Sequence, residues 1–326
     1  MRHFFCAALI VSLASVIASA QSPSLQDDST DDETTPEVKY NVEFGRELTN
    51  KIRVGVRVTA GGPCRGMIIS LPVPKDWPEQ QVKMIEEDVS NNVRKLEYRE
   101  LENSVKQLVA IIPRLDAGEE AYALVTYEVR GHAIIGPDDT KNLVAPKPVP
   151  KELSKFLKAS PQIESRNRTI QTETKQLVKD IETEWEKASA IYEFVRSKVT
   201  YRESELKGAV ESLKDGVADC EGMTSLFIAM CRAANIPARM VWVTDHCYPE
   251  FYLEDEQKNG QWYPCQVAGT HSFGSMPDIR PILQKGDNIR IPEKRGGQRY
   301  AALHLKAKAV KKPNPKVVEV MEFVTD

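Results

Sequence analysis

Asp219-Cys220-Glu221-Gly222-Met223-Thr224 is the stretch on which the reading of the fold turns. Beyond it, Met223, Leu226, Phe227, Met230 and Ala234 recur at three- and four-residue steps, the spacing of one helical face. Asp219 is a good N-cap and Asn235 with Pro237 supplies a stop, so the pattern predicts a helix beginning at Cys220. In that first turn the unpaired backbone N–H groups and the positive helix end favour a thiolate. The thiolate is the nucleophilic form, so the position suits a reactive cysteine. A buried, inert thiol is the competing reading of a cysteine taken alone. The side chains that come to meet Cys220 decide between the two.

Two strand segments follow this helix, at 246–253 and 261–267, joined by a polar loop at 254–260. Side chains alternate between faces along a strand. In the first segment Cys247, Phe251 and Leu253 share one apolar face, and His246, Tyr248, Glu250 and Tyr252 share the other. In the second, Tyr263 and Cys265 lie opposite Trp262, Pro264 and Gln266. A hairpin that pairs Cys247 with Cys265 on the buried face sets His246 across from Gln266 on the other. That gives a thiolate, an imidazole base and an amide to orient it, the general order of nucleophilic catalysis. Cys247 and Cys265 are then expected as a buried cross-strand pair, oxidised or reduced.

Working outward, the region 38–144 reads as strands. Ile52, Val54, Val56 and Val58 alternate with polar or glycine positions, as do Ala121, Ala123, Val125, Tyr127 and Val129. Apolar runs at 67–74 and 107–113 add two more strands, and Gly61-Gly62-Pro63 supplies a turn. Short strands without a helix predict a β-sandwich-like domain, a packing or partner-binding module with no catalytic constellation. Ala145-Pro146-Lys147-Pro148-Val149-Pro150 is a stiff linker. After it, Trp185, Ala188, Ile191, Tyr192, Val195 and Val199 form an amphipathic helical stripe, and strand signals follow the Cys220 helix. Helices and then sheet over 151–326 predict an α+β domain ending in a strand or tail.

At the N-terminus, Arg2 and His3 precede an apolar run from Phe4 to Ile17 and an Ala18-Ser19-Ala20 cleavage pattern. Residues 1–20 are read as a signal peptide cleaved after Ala20, which predicts a secreted or periplasmic protein. Residues 21–37 carry six carboxylates and no basic residue, and are read as an acidic disordered lead-in. The whole chain has a formal net charge of −3. Nothing in that balance asks for nucleic acid, and no later stretch is long enough to span a membrane.

Five cysteines follow the leader, an odd number that leaves a thiol unpaired within the chain. Cys231 falls on the apolar side of its helix, and Cys64, after the Gly-Gly-Pro turn, is expected as an exposed thiol. No C-x-x-C pair is present, and a zinc set of Cys247, Cys265, His246 and His271 has little support from spacing. Asn167-Arg168-Thr169 is a glycosylation sequon, a short pattern that also arises by chance.

Five segments in order resemble the transglutaminase-like superfamily, whose core is a papain-like cysteine-enzyme fold. They are Ala190 to Tyr201, Asp219-Cys220-Glu221-Gly222, Ala234 to Val241, His246 to Leu253, and Trp262 to Gln266. The β-rich first part is similar to the N-terminal β domain that accompanies this core in exported bacterial members. The resemblance implies Cys220 as nucleophile, His246 as general base and no metal or organic cofactor. The family's third residue is usually an aspartate, and Gln266 stands there. An amide can orient an imidazole but adds no full charge to an imidazolium. Asp245, Glu250 and Asp255 are the nearby carboxylates that could take its place, and the register favours Gln266.

The expected activity is acyl transfer on a peptide, protein or cell-wall amide, with hydrolysis favoured over cross-linking. A non-catalytic binding or structural protein that retains the fold is the alternative. The sequence leaves the oligomeric state open.

Overall fold

The computed structural model describes residues 42–325. The leader at 1–20 and the acidic segment at 21–37 lie outside these residues. The chain opens with six strands: β1 (Glu43–Thr59), β2 (Cys64–Val73), β3 (Gln80–Val89), β4 (Lys95–Leu101), β5 (Val105–Leu115) and β6 (Glu120–Ile135). The alternation seen in the sequence maps directly onto a core. Ile52, Val54, Val56 and Val58 of β1, and Ala121, Ala123, Val125, Tyr127 and Val129 of β6, are all buried in one cluster with Met67, Ile69, Leu71, Leu108 and Ile112. β3 and β4 carry no such signal, because most of their residues stay exposed or half-buried.

A largely helical stretch follows: α1 (Arg168–Val178), α2 (Glu184–Lys198), β7 (Thr200–Tyr201), α3 (Ala209–Asp215), β8 (Val217–Ala218) and α4 (Cys220–Ala233). Asn167 of the sequon serves as the N-cap of α1, with Oδ1 accepting from the Thr169 N–H at 2.8 Å. Then come β9 (Ala238–Val243), β10 (His246–Glu254), β11 (Gly260–Gln266), β12 (Ser272–Phe273) and β13 (Ile282–Lys285). Five short or peripheral strands close the chain: β14 (Ile289–Arg290), β15 (Gly297–Gln298), β16 (His304–Lys306), β17 (Ala309–Val310) and β18 (Lys316–Phe323). The architecture is α+β, with helices packed on antiparallel sheet. Among the described residues no helix is long and apolar enough to cross a membrane.

Two sheets organise the molecule. One has the order β18-β1-β6-β3. The other runs β12-β11-β10-β9-β13-β5-β2-β16, with β17 added on β2 and β4 on β5. β13 joins the helical half to the β-rich half, because it pairs with β9 on one side and with β5 on the other. The Gln80 amide braces this junction, accepting from the Ile282 N–H at 2.6 Å and donating to the Ile282 carbonyl at 3.0 Å. A buried charge cluster lies beside it. Lys285 pairs with Glu79 and with Glu250 (2.7 Å), and Arg239 closes on the second Glu250 oxygen at 2.6 Å. β18 runs antiparallel to β1, from Ile52↔Phe323 to Thr59↔Lys316, so the segment read as a strand or tail adds to the first sheet.

Two cysteine expectations are corrected. Cys64 is fully buried in the sandwich core, with Sγ donating to the Gly62 carbonyl at 3.2 Å, because the turn folds its side chain inward. Cys247 and Cys265 are both free thiols and do not face each other. The β10–β11 register runs Glu250↔Pro264, Phe251↔Tyr263 and Tyr252↔Trp262, two residues away from the expected one. The loop between Glu254 and Gly260 sets it: Asp255 Oδ1 accepts from the Gln257 and Asn259 N–H groups and fixes a tight five-residue turn. Cys265 Sγ consequently lies 3.9 Å from the Pro249 carbonyl. A shift of two keeps every side chain on its face, so the polar face survives the correction.

Candidate active site

Cys220 is the first residue of α4, and Asp219 is its N-cap, with Oδ1 accepting from the Gly222 N–H at 2.8 Å. The segment entering the helix is held by the parallel β7–β8 pairing. Gly222 allows α4 to approach α3 closely, since a Cβ there would lie 2.6 Å from Ser212 Oγ and 2.7 Å from the Ala218 Cβ. Nearly all of α4 is buried, which fixes the cysteine against the sheet while its thiol stays partly accessible.

His246 opens β10 directly after the two-residue turn Thr244-Asp245, where Asp245 takes a φ of 56°. Aspartate tolerates this left-handed conformation better than most side chains. Gln266 ends β11, and its side chain is buried next to the imidazole: Gln266 Oε1 lies 3.0 Å from His246 Nε2. The Gln266 carbonyl accepts from Arg196 Nη1 at 2.8 Å, and Ser272 lies across from it on β12. Both ends of the glutamine are therefore fixed. With Nε2–H donating to Gln266, the imidazole presents Nδ1 to the cysteine.

The electrostatics follow from these contacts. A hydrogen bond from the Cys247 thiol is the largest influence on Cys220; burial opposes it, and the His246 hydrogen bond and charge and the Cys247 backbone N–H add to it. Together they bring the Cys220 thiol down to about 4. For His246, burial disfavours the charge, but the hydrogen bonds to Cys220 and Gln266 and the thiolate outweigh it and raise the pKa above the ordinary 6.5. The two shifts agree on a thiolate facing an imidazolium. The other four cysteines have thiols pushed upward, with burial the main cause, which leaves Cys220 as the one activated thiol among the described residues.

The structure thus brings Cys220, His246 and Gln266 together. The carboxylates that could have replaced Gln266 are engaged or placed elsewhere. Glu250 is buried between Arg239 and Lys285, and Asp255 caps the β10–β11 loop. Asp245 sits in a turn rather than a strand and lines an open cleft of about 440 Å³ beside Cys220 and His246. The cleft's remaining walls include Trp242, Tyr300, Glu319 and Met321. Sequence reasoning did not assign these four to the site. Glu319 and Met321 arrive through the pairing of β18 with β1, for which no local pattern exists. His271, considered for zinc, faces Glu193 at 2.8 Å.

Residues 171–267 match the transglutaminase-like superfamily. The chain carries a transglutaminase-like domain. The matched span runs from α1 through β11 and includes Cys220, His246 and Gln266. A solved structure of a proposed cysteine protease from Cytophaga hutchinsonii superposes with a TM-score of 0.62 at 14% identity, covering 87% of this chain and 93% of that one. The fold around the transglutaminase-like domain is therefore shared over most of the molecule. A proposed protease from Parabacteroides distasonis gives a TM-score of 0.28 at 14% identity, over 71% of this chain and 48% of that one. No curated protein matches by sequence.

Proposed function

We propose that this protein is an exported thiol hydrolase that cleaves a peptide or amide bond through Cys220, His246 and Gln266. The observation that carries the proposal is the position of His246, hydrogen-bonded to Gln266 on one side and near enough to Cys220 on the other to help lower its thiol. The Cys220 thiolate attacks the amide carbonyl, and backbone N–H groups in the first turn of α4 stabilise the oxyanion. The His246 imidazolium gives its proton to the leaving amine, so an acyl-enzyme forms at Cys220. The neutral imidazole then takes a proton from water as that water attacks the thioester, and the thiolate is restored. Gln266 holds the ring in the tautomer that both steps require. Export rests on the leader-like residues 1–20.

The test is a screen of the mature protein against peptide, isopeptide and cell-wall amides, with Cys220→Ala beside it. Turnover that is absent in the variant, together with an acyl-enzyme on Cys220 by mass spectrometry, is the expected result. A Cys220 thiol that reacts with iodoacetamide no faster at neutral pH than free cysteine would falsify the proposal.

A further inference from the structure

The cleft that holds the proposed nucleophile is built from both sheets. Cys220 and His246 form one side, and Glu319 and Met321 of β18 form another. These two residues stand at every second position on β18, across from Val56 and Val54 of β1. Three carboxylates line the cleft: Glu221, Asp245 and Glu319. Glu221 is neutralised by Arg299, whose guanidinium also lies 5.4 Å from the centre of the Trp242 ring. Asp245 and Glu319 make no ion pair among the described residues. The nearby Arg280 is already bound to Asp278 at 3.0 Å. The Asp245 and Glu319 side chains are both exposed, and the protein around Glu319 raises its carboxyl above the ordinary value through desolvation.

One further feature points to what enters. Trp242 and Tyr300 pack with ring centres 4.6 Å apart and present an aromatic wall to the cleft. Aromatic faces attract ammonium and guanidinium groups. Trp242 is also more than nine-tenths buried, yet its indole N–H has no hydrogen-bond partner. That nitrogen has no surface open to the cleft, so the wall acts through its aromatic rings. The volume is within the range of clefts that take a small ligand or a segment of peptide.

We propose that Glu319 and Asp245, with the Trp242–Tyr300 wall, select a peptide substrate carrying a basic side chain close to the bond presented to Cys220. This deepens the thiol-hydrolase reading and rests on it for the position of the scissile bond. It also gives β18, and through it the β-rich half, a part in specificity. The cation sits between the two exposed carboxylates and the aromatic wall.

Binding to Cys220→Ala protein tests the selection separately from the chemistry. Capped, otherwise neutral hexapeptides carry one lysine, moved across the central positions, and each is paired with a norleucine peptide of the same shape. Fluorescence anisotropy measures their affinities at low salt. At one position lysine is expected to bind up to about fivefold tighter than norleucine, the upper end for an exposed ion pair. The preference shrinks in Glu319→Gln protein and at high salt. Equal affinity for lysine and norleucine at every position overturns the proposal, and so does a lysine preference that persists unchanged in both Glu319→Gln and Asp245→Asn proteins. Neither outcome depends on the thiol being reactive, so failure here is distinguishable from failure of the hydrolase reading.

Discussion

Gln266 meets His246 on the diagonal of the β10–β11 hairpin, not straight across it. Continuing the observed register puts Gln266 opposite Tyr248, yet its Oε1 lies 3.0 Å from His246 Nε2. Diagonal neighbours on one face of a sheet are within reach of a long side chain, and glutamine has the length. The contact is a neutral amide bond to an imidazole, which fixes the ring without adding a counter-charge. Substitution separates these two effects. Gln266→Ala is expected to lower turnover by a factor on the order of 10² or more, since the imidazole is no longer held in one tautomer. Gln266→Asp is expected to retain turnover and to shift the alkaline limb of the pH–rate profile upward, because a carboxylate stabilises the imidazolium. Steady-state kinetics across pH measures both, and equal rates in the two variants would remove Gln266 from the site.

Alkylation of the native protein reports the thiolate directly. The Cys220 pKa is depressed to about 4, so the thiolate persists as pH rises from there and the rate with iodoacetamide stays flat through neutrality. An ordinary thiol near 9.0 climbs with pH over the same range. Cys220 is the expected sole site of labelling in the folded protein, by peptide mapping. For turnover the acid limb belongs to Cys220 and the alkaline limb to His246, which lies above 6.5.

Cys247 supplies the strongest single influence on the thiolate, through its own thiol. Cys247→Ala removes that donor, so the Cys220 inflection is expected to move to higher pH. Cys247→Ser keeps a hydroxyl in place and is expected to leave the inflection low. Thiolate absorbance in the ultraviolet follows both titrations, and an unchanged inflection in the alanine variant would count against the sulfur–sulfur contact.

The buried charge cluster at the β13 junction is expected to make stability sensitive to single changes. Lys285→Met leaves Glu79 and Glu250 buried together without their shared cation, and should destabilise the fold by about 3–5 kcal/mol. Denaturant unfolding measures it. The pH dependence has a definite sign. Burial alone would raise the Glu250 carboxyl, but Arg239 and Lys285 carry it below its ordinary value. Its stabilising effect is therefore present above its unfolded-state pKa and is lost as pH falls toward the folded-state value.

Gly222→Ala adds a methyl where Ser212 Oγ and Ala218 leave no space. The expected cost is about 1–3 kcal/mol. The alkylation rate of Cys220 should fall with it, since the first turn of α4 must shift. A variant as stable and as reactive as the parent would show that the close approach is unimportant.

Those elements whose information is local were legible in the sequence. The Asp219 cap, the apolar stripe of α4, the alternation of β1 and β6 and the polar face shared by His246 and Gln266 all depend on neighbours a few residues away. The hairpin register was misplaced by two because Asp255 and Asn259 set the loop geometry, while strand patterning fixes only parity. β3 gave no signal because its solvent-facing, acidic residues (Glu86, Glu87, Asp88) lack an apolar period. Trp242, Tyr300 and Glu319 escaped for a different reason. Trp242 and Tyr300 meet across a long stretch of chain, and Glu319 joins them when β18 crosses back to β1; contacts over such sequence separations leave no local mark.

The return of β18 to β1 also orders events during synthesis. Cys220, His246 and Gln266 all emerge before β18 is translated, and the strand that completes their cleft is the last of the described elements to be made. A chain interrupted before β18 lacks Glu319 and Met321, so the share of substrate discrimination assigned to Glu319 is added only when the final strand docks.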